Sequence, residues 1–175
     1  MTKVTIDALN PDSFTRAANR VRKLQRTYAN KNRVFVRRLT QKGIRVIYQN
    51  LNGDGDSEYP EVPNEPHVVM GAREGVMTAT LRLRGEDVMF VEFGAGIYYN
   101  GPAGGSPHPL GVELGYTIGS YGQGQGAQDH WFYEKDGDTY FSKGTEATMP
   151  MWKADQAIRQ EFASIAKSVF SITGV

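Results

Sequence analysis

The sequence predicts a single α+β domain in which a long N-terminal helix and a C-terminal helix pack on a small antiparallel β-sheet. Apolar residues recur at helical spacing near both ends of the chain, and two pairs of strand-like segments with short turns lie between them. A long glycine-rich stretch separates the two pairs. The chain has 175 residues, 39% of them hydrophobic and 22% charged, and shows no internal repeat or dividing linker. We therefore expect residues 1–175 to form one domain around one core.

The first element is an amphipathic helix predicted over residues 11–49. Asn10 can cap its first turn, and Pro11 has the fixed φ that suits a first helical position. At 100° per residue the apolar side chains fall in one sector throughout, although Gly43 and the Asn-Lys-Asn run at 30–32 are places where a helix can bend. Unbroken, the helix would be about 55 Å long, which exceeds the width of such a domain. Part of its apolar stripe is therefore expected to need a partner outside the domain.

The opposite face of this helix is basic. Residues 1–52 contain 12 Lys and Arg against 2 acidic residues (12 − 2 = +10), whereas the remainder holds 8 basic and 17 acidic residues (8 − 17 = −9). Such asymmetry indicates either a polyanionic partner or a neighbouring copy whose acidic part meets this basic part, and a solvated face is a third possibility. Without interleaved aromatics the face would contact phosphates but not read bases. The candidate DNA-facing residues are Arg16, Arg20, Lys23, Arg26, Arg33 and Arg37.

A β-hairpin is predicted over residues 67–84, after a polar, acidic connector. Its strands are His67–Arg73 and Val76–Arg84, and apolar and polar residues alternate in the second, so that one face is expected to be buried. The next apolar run, Val88–Val91, is too short for periodicity to separate a strand from a helix.

The glycine-rich loop, residues 94–130, is the most unusual part of the chain. Eleven of the 20 glycines lie between Phe93 and Trp131. A loop this long and glycine-dense is uncommon unless it has a function, because ordering it costs much conformational entropy. It and its flanks also hold several large aromatic residues, which are enriched at protein interfaces.

Two elements follow the loop. Residues 131–143 are predicted as an aromatic-rich hairpin around Asp136-Gly137-Asp138, which would join the first hairpin in a four-stranded sheet. The last helix, residues 150–172, begins at Pro150 and carries apolar residues at spacings of three and four, and its stripe is expected to pack on that sheet. Trp131 and Phe132 are then either core residues of a strand or part of an interface.

The sequence offers no catalytic, cofactor or metal motif. No phosphate-binding loop or nucleophile elbow occurs, and the Asp/Asn series at 52–56 lacks the later ligands of a calcium loop. His108, Glu113 and His130 lie in or beside the glycine-rich loop, so a metal or acid-base site there is the remaining enzymatic alternative. We predict no enzyme, no cofactor and no metal.

Compartment signals are consistent with a protein made in a cytoplasm. The chain has no cysteine, which excludes disulfides and thiolate metal sites and fits a reducing environment. No apolar run approaches the length of a membrane span, and we see no secretory signal pattern at the amino terminus.

Four sequence segments together resemble one protein family. They are VEFGAGIYYNGP, HPLGVELGYTIGSYGQGQG, WFYEK and GTEATMPMW, in this order. The chain resembles the small tail-completion, or head-tail connector, proteins of long-tailed double-stranded DNA phages over roughly residues 11–172. The family's E-F-G-(T/A)-G element corresponds to Glu92–Gly96, its H-P and G-Y pairs to His108-Pro109 and Gly115-Tyr116, and its M-P-M-(Y/W) element to Met149–Trp152.

The resemblance implies a short helix that delivers Glu92, and we expect Glu92 to bind amides of the loop that follows it while Pro150 starts the last helix. It also implies a non-enzymatic virion protein of the tail or neck, made in the bacterial host cytoplasm, which forms a ring, commonly of six copies. Such a ring would complete the tail or join it to the head, in contact with neighbouring neck and tail proteins and, as a further candidate partner, passing DNA. The alternative is a nucleic-acid-binding accessory protein that acts through the basic helix. The candidate interface residues are Glu92, Phe93, Gly94, Gly96, Tyr98, Tyr99, His108, Tyr116, Tyr121 and Trp131.

Overall fold

A computed structural model describes residues 4–51, 65–73, 76–85, 87–98, 101, 105–116 and 130–171. The predicted α+β class is confirmed. The elements are helix α1 (Pro11–Leu51), strands β1 (Glu65–Arg73) and β2 (Val76–Arg84), helix α2 (Val88–Phe93), a 3₁₀ turn (Gly96–Tyr98), strands β3 (Trp131–Lys135) and β4 (Asp138–Ser142), and helix α3 (Pro150–Phe170). The predicted turn at 74–75 and the acidic series at 52–56 lie outside the described residues.

Helix α1 begins where the sequence predicted and runs without a break for 41 residues. The side-chain oxygen of Asn10 accepts a hydrogen bond from the backbone N of Asp12 at 3.0 Å, which caps the first turn. Gly43 does not end the helix. A Cβ on Gly43 would lie 2.8 Å from Ile158 Cδ1 and 2.9 Å from Leu81 Cδ1, so this glycine allows α3 and β2 to approach the same point of α1.

Helix α3 packs antiparallel along the C-terminal half of α1. Phe35 makes edge-to-face contacts with Phe162 and Phe170, at centroid distances of 5.2 and 5.7 Å. Lys31 Nζ reaches the carbonyl of Phe170 at 3.5 Å, which sets the last residue of α3 opposite Lys31. The prediction that the α3 stripe packs mainly on the sheet was wrong, because α1 is its principal neighbour.

The first hairpin covers another part of α1. Strands β1 and β2 pair in register from Glu65 opposite Arg84 to Arg73 opposite Val76. Exposed and half-buried residues alternate along the whole of β2, as the sequence predicted. The half-buried set faces α1, where Met77, Ala79 and Leu81 line a recess together with residues of α1 and α3.

The predicted four-stranded sheet does not form among the described residues. Strands β1 and β2 make one two-stranded sheet, and β3 and β4 make another. In β3–β4 the turn residues Asp136 and Gly137 have φ of 54° and 88°, the positive values that a two-residue hairpin turn of this type requires. Each hairpin thus forms its own two-stranded hydrogen-bond ladder. The alternation of polar and apolar residues along a strand does not indicate which strand edges of the two hairpins would pair.

The N-terminal part of α1 extends beyond α3. Since α3 ends opposite Lys31, residues 11–30 continue for about 30 Å at 1.5 Å per residue. Ser13 and Ala17 are buried there, but Phe14, Val21 and Tyr28 are exposed. The sequence predicted that part of the apolar stripe would remain uncovered by its own domain, and the structure shows which part.

Candidate functional site

Three of the four segments that carry the family resemblance converge on one buried carboxylate. Glu92 lies in the last turn of α2 and is only 6% exposed. Around it lie His108, the backbone of Met151 and Trp152, and the ring of Phe93, which contacts both His108 and Tyr116. We call Glu92, Phe93, Ser106, His108, Tyr116 and Trp152 the Glu92 cluster.

Glu92 caps the N-terminus of α3. One carboxylate oxygen accepts a hydrogen bond from Met151 N and the other from Trp152 N, each at 2.8 Å. Pro150 has no N–H, so these are the first free amide donors of the helix. The negative charge also interacts favourably with the helix dipole. The expectation that Glu92 binds amides of the loop that follows it was wrong, because the amides belong to a helix about 60 residues further along.

His108 is buried beside this carboxylate, and both of its ring nitrogens have partners. Its Nδ1 accepts a hydrogen bond from Leu110 N at 3.0 Å, so this nitrogen carries no proton. Its Nε2 lies 3.2 Å from Glu92 Oε1 and is therefore the protonated nitrogen that donates to the carboxylate. With both nitrogens engaged, His108 orients Glu92 and the segment at 108–110.

Ser106 secures the other end of the same segment and is fully buried. Its hydroxyl donates to the carbonyl of Phe93 and accepts from His108 N at 3.1 Å. The hydroxyl does not contact the histidine ring, so the group does not form a nucleophile-base pair of the hydrolase type.

Aromatic rings close the cluster. Phe93 stacks on Tyr116 with a centroid distance of 3.8 Å and an interplanar angle of 8°. The ring of His108 lies 4.6 Å from Phe93 on one side and 5.4 Å, edge-on, from Trp152 on the other. This packing joins α2, the glycine-rich segment and α3 into one unit.

Two glycines permit the close backbone approach around the cluster. Gly94 has a φ of 76° and ends α2. Gly144 has a φ of 113°, and a Cβ there would lie 2.1 Å from the carbonyl oxygen of Ala95. The adjacent Ala95 N donates to Thr145 O at 2.8 Å, and Thr148 N donates to Val91 O at 2.9 Å. The segment of chain before α3 therefore lies directly against the E-F-G-A-G segment.

The predicted interface residues divide into several groups. Four of them are buried within this chain, so they hold neighbouring residues in position and do not themselves form an exposed surface: Glu92, Phe93, Gly94 and His108. Tyr98 and Tyr116 are half-buried, and Gly96 begins the 3₁₀ turn with a φ of 65°. Trp131 opens β3, whereas Tyr99 and Tyr121 lie outside the described residues. All six predicted DNA-facing residues are exposed on α1.

The enzymatic alternative gains no support from the geometry. No group of three or more His, Asp or Glu side chains suited to a metal ion occurs in the described part of the chain. Glu113 is exposed, and His130 stacks on Phe141 at 5.2 Å in the second hairpin. An open groove of about 510 Å³ lies between α1 and the first hairpin, with Arg33, Arg37 and Met70 in its lining, away from the Glu92 cluster.

Sequence reasoning left Phe132 open as a core or interface residue and did not name Phe141, which forms an exposed aromatic pair with it. Phe132 and Phe141 lie opposite each other in β3–β4 and contact at 5.6 Å, and both are exposed. The period of two places them on one face, but it does not say whether that face is covered. Ser106 was also missed as a buried anchor, since a Ser before Pro has no distinctive spacing.

Comparison with protein-family models, with curated proteins and with solved structures found no match to this chain. Within the described residues, none of the helices is both long enough and apolar enough for a membrane crossing.

Proposed function

We propose that this chain is a structural virion protein of a long-tailed phage that assembles into a ring, of six copies by family resemblance, at the head-tail junction. The observation that carries the proposal is the convergence of three of the four resembling segments. The E-F-G element, the H-P and G-Y pairs and the M-P-M-W element lie far apart in sequence but are joined through Glu92, His108 and the first turn of α3. These residues share one structural role, which is to hold α2, the segment around His108 and α3 together. That shared role explains why the motif is spread over 60 positions.

The surface also favours assembly. The N-terminal part of α1 extends beyond α3 with exposed apolar side chains, and the second hairpin exposes aromatic ones. The Glu92 carboxylate and both His108 nitrogens are engaged in internal hydrogen bonds, which suits a structural anchor. Exposed apolar surface of this kind is typical of proteins that bind partners.

The test uses a phage whose genome encodes this chain. With a nonsense mutation in its gene, we expect DNA-filled heads and separate tails to accumulate in electron micrographs, and the purified full chain added to that extract should restore joined particles. A matched control adds the Glu92→Ala variant to the same extract, which should fail to join them. Normal particles in the absence of the chain would refute the proposal.

A nucleic-acid-binding function is the second candidate, favoured by one specific observation. Arg16, Arg20, Lys23, Arg26, Arg33 and Arg37 are all exposed, and none forms an ion pair with another described residue. If α1 binds duplex DNA, log affinity should fall steeply with log salt. Replacing Arg16 and Arg20 by Gln should then reduce that slope by about 1 for each phosphate that is no longer neutralised. An unchanged slope would remove this candidate.

A further inference from the structure

The second hairpin presents an exposed aromatic face. Phe132 is 64% exposed and Phe141 is 43% exposed, although their rings contact each other. His130 packs against both rings, at 5.7 and 5.2 Å. The strand register places Glu134 and Thr139 on the same face, two pairs nearer the turn. We call His130, Phe132, Glu134, Thr139 and Phe141 the hairpin face.

The turn end of this hairpin is acidic. Residues 134–138 carry Glu134, Asp136 and Asp138 against Lys135 alone (3 − 1, net −2). All three carboxylates are exposed. The hairpin therefore offers aromatic side chains next to negative charge.

The N-terminal part of α1 presents the complementary combination. Phe14, Val21 and Tyr28 are 51%, 43% and 58% exposed and recur every seven residues, so they form a nearly straight line along the helix. We call these three residues the helix stripe. Residues 11–30 carry five basic residues and one acidic residue (5 − 1, net +4). Arg20 and Arg22 flank Val21 at about 100° on either side around the helix, whereas Arg16 and Arg26 lie on the face opposite the helix stripe.

The net charge of a partner surface determines how favourably it can pack on the helix stripe. Two copies of α1 packed side by side would bring together two segments of net +4, and like charges across an interface oppose association. The hairpin face brings apolar surface with net charge of the opposite sign. It also lies on a different element of the same chain, so the contact is head-to-tail, and such contacts form closed rings when the rotation between copies closes.

We propose that the hairpin face of one copy docks on the helix stripe of the next copy, with Glu134 close to the flanking basic residues Arg20 and Arg22. This inference rests on the proposed ring function and names the surfaces by which the copies meet.

Cross-linking tests the contact directly, because the chain contains no cysteine of its own. Ala18 lies beside the helix stripe and Thr139 lies on the hairpin face, and both are exposed, so Cys at these positions leaves the aromatic and charged side chains of the contact in place. We expect the Ala18→Cys/Thr139→Cys variant to give, with a flexible bis-maleimide, a ladder of products in steps of 19.4 kDa. A mixture of the two single variants should stop at the dimer.

The matched control is Ala163→Cys/Thr139→Cys, in which the first cysteine is exposed on α3 instead, and it should give no ladder. Efficient dimers of Ala18→Cys alone would show that α1 pairs with α1, which overturns the inference. So would a missing ladder, whether in the purified full chain at high concentration or in particles that contain it.

A charge exchange gives a second measurement, the mass of the full-length assembly by light scattering. Arg20→Glu/Arg22→Glu and Glu134→Lys should each reduce the assembly to the single chain, and the three changes together should restore it at least in part. Arg16→Glu/Arg26→Glu, on the opposite face of the same helix, and Asp138→Lys, on the opposite face of the hairpin, should have no effect. Rings that survive both exchanges would overturn this interface while leaving the ring function intact, whereas normal phage joining without the chain would overturn only that function.

Discussion

One carboxylate oxygen of Glu92 lies 2.8 Å from the backbone nitrogen of Trp152, although the two residues are 60 positions apart in the chain. The contact joins the end of the short helix α2 to the first turn of α3. Because Glu92 is buried, this hydrogen bond and the one from Met151 N replace the water that a carboxylate would otherwise bind. The arrangement makes Glu92 the side chain on which the packing of the two helices depends.

Replacing Glu92 by Gln should lower the free energy of unfolding by about 1.5–3 kcal/mol, the range for hydrogen bonds to a charged group. The amide can accept from only one of the two backbone donors and loses the charge at the helix terminus. Urea denaturation measures the effect as a shift in midpoint. The same change at exposed Glu113 should alter stability by less than about 0.5 kcal/mol. Equal effects at the two positions would contradict the capping role.

Glu92 and His108 should be energetically coupled. His108→Gln keeps a side-chain N–H that can reach Glu92 but loses the acceptor for Leu110 N. A double-mutant cycle with Glu92→Gln and His108→Gln, measured by urea denaturation, is expected to give an interaction energy of about 1 kcal/mol or more. His67→Gln, on the exposed side of β1, serves as the control and should add independently. A zero coupling at His108 would mean that the 3.2 Å contact contributes nothing to stability.

Alanine substitutions at Gly144 and Gly137 distinguish the energetic cost of backbone strain from that of a steric clash. Both have positive φ, but a Cβ at Gly137 meets nothing within 4 Å, whereas one at Gly144 lies 2.1 Å from a backbone oxygen. Gly137→Ala should therefore cost about 1 kcal/mol of conformational strain. Gly144→Ala should cost more than about 3 kcal/mol, since the segment at 94–96 has to move. Thermal unfolding of the two variants compares them, and similar melting temperatures would argue against the close approach.

Alanine substitutions at two phenylalanines of α1 should affect different properties, folding stability in one case and assembly in the other. Phe35 contacts Phe162 and Phe170, so Phe35→Ala should remove about 2–4 kcal/mol of folding stability. Phe14 is exposed and lies beyond the end of α3, so Phe14→Ala should change stability by less than about 1 kcal/mol. Light scattering should show instead that Phe14→Ala weakens assembly. A large stability loss at Phe14 would mean that its own chain covers it.

Local rules predicted the elements well. The Asn10 cap, the Pro150 start and the Asp136-Gly137 turn each depend on residues adjacent in sequence, and all three are present in the structure. The short helix that carries Glu92 is confirmed as α2, although this expectation came from the family resemblance and not from periodicity. The last helix begins at Pro150 as predicted but ends at Phe170, two residues before its predicted end at 172, with Ser171 as its C-cap.

The candidate site was predicted only in part. Motif wording identified Glu92, Phe93, His108 and Tyr116 as a set, but their burial and mutual contacts depend on how α2, the 105–116 segment and α3 pack. The partner of Glu92 was assigned wrongly because a local amide is the simpler expectation for a carboxylate before a glycine-rich loop. The aromatic pair at 132 and 141 was not selected, since exposure cannot be read from a hairpin pattern alone.

By itself the sequence determined the class, the order and the approximate limits of the helices and hairpins, together with the charge separation between the first 52 residues and the rest. These follow from periodicity, capping and turn chemistry, which act over a few residues. Only the tertiary structure decided that α3 pairs with α1, that the described strands of the two hairpins form separate sheets, and that Glu92 caps a helix 60 positions away. Those outcomes depend on which apolar faces and unpaired amides come together in the folded chain, and residues far apart in sequence can meet there.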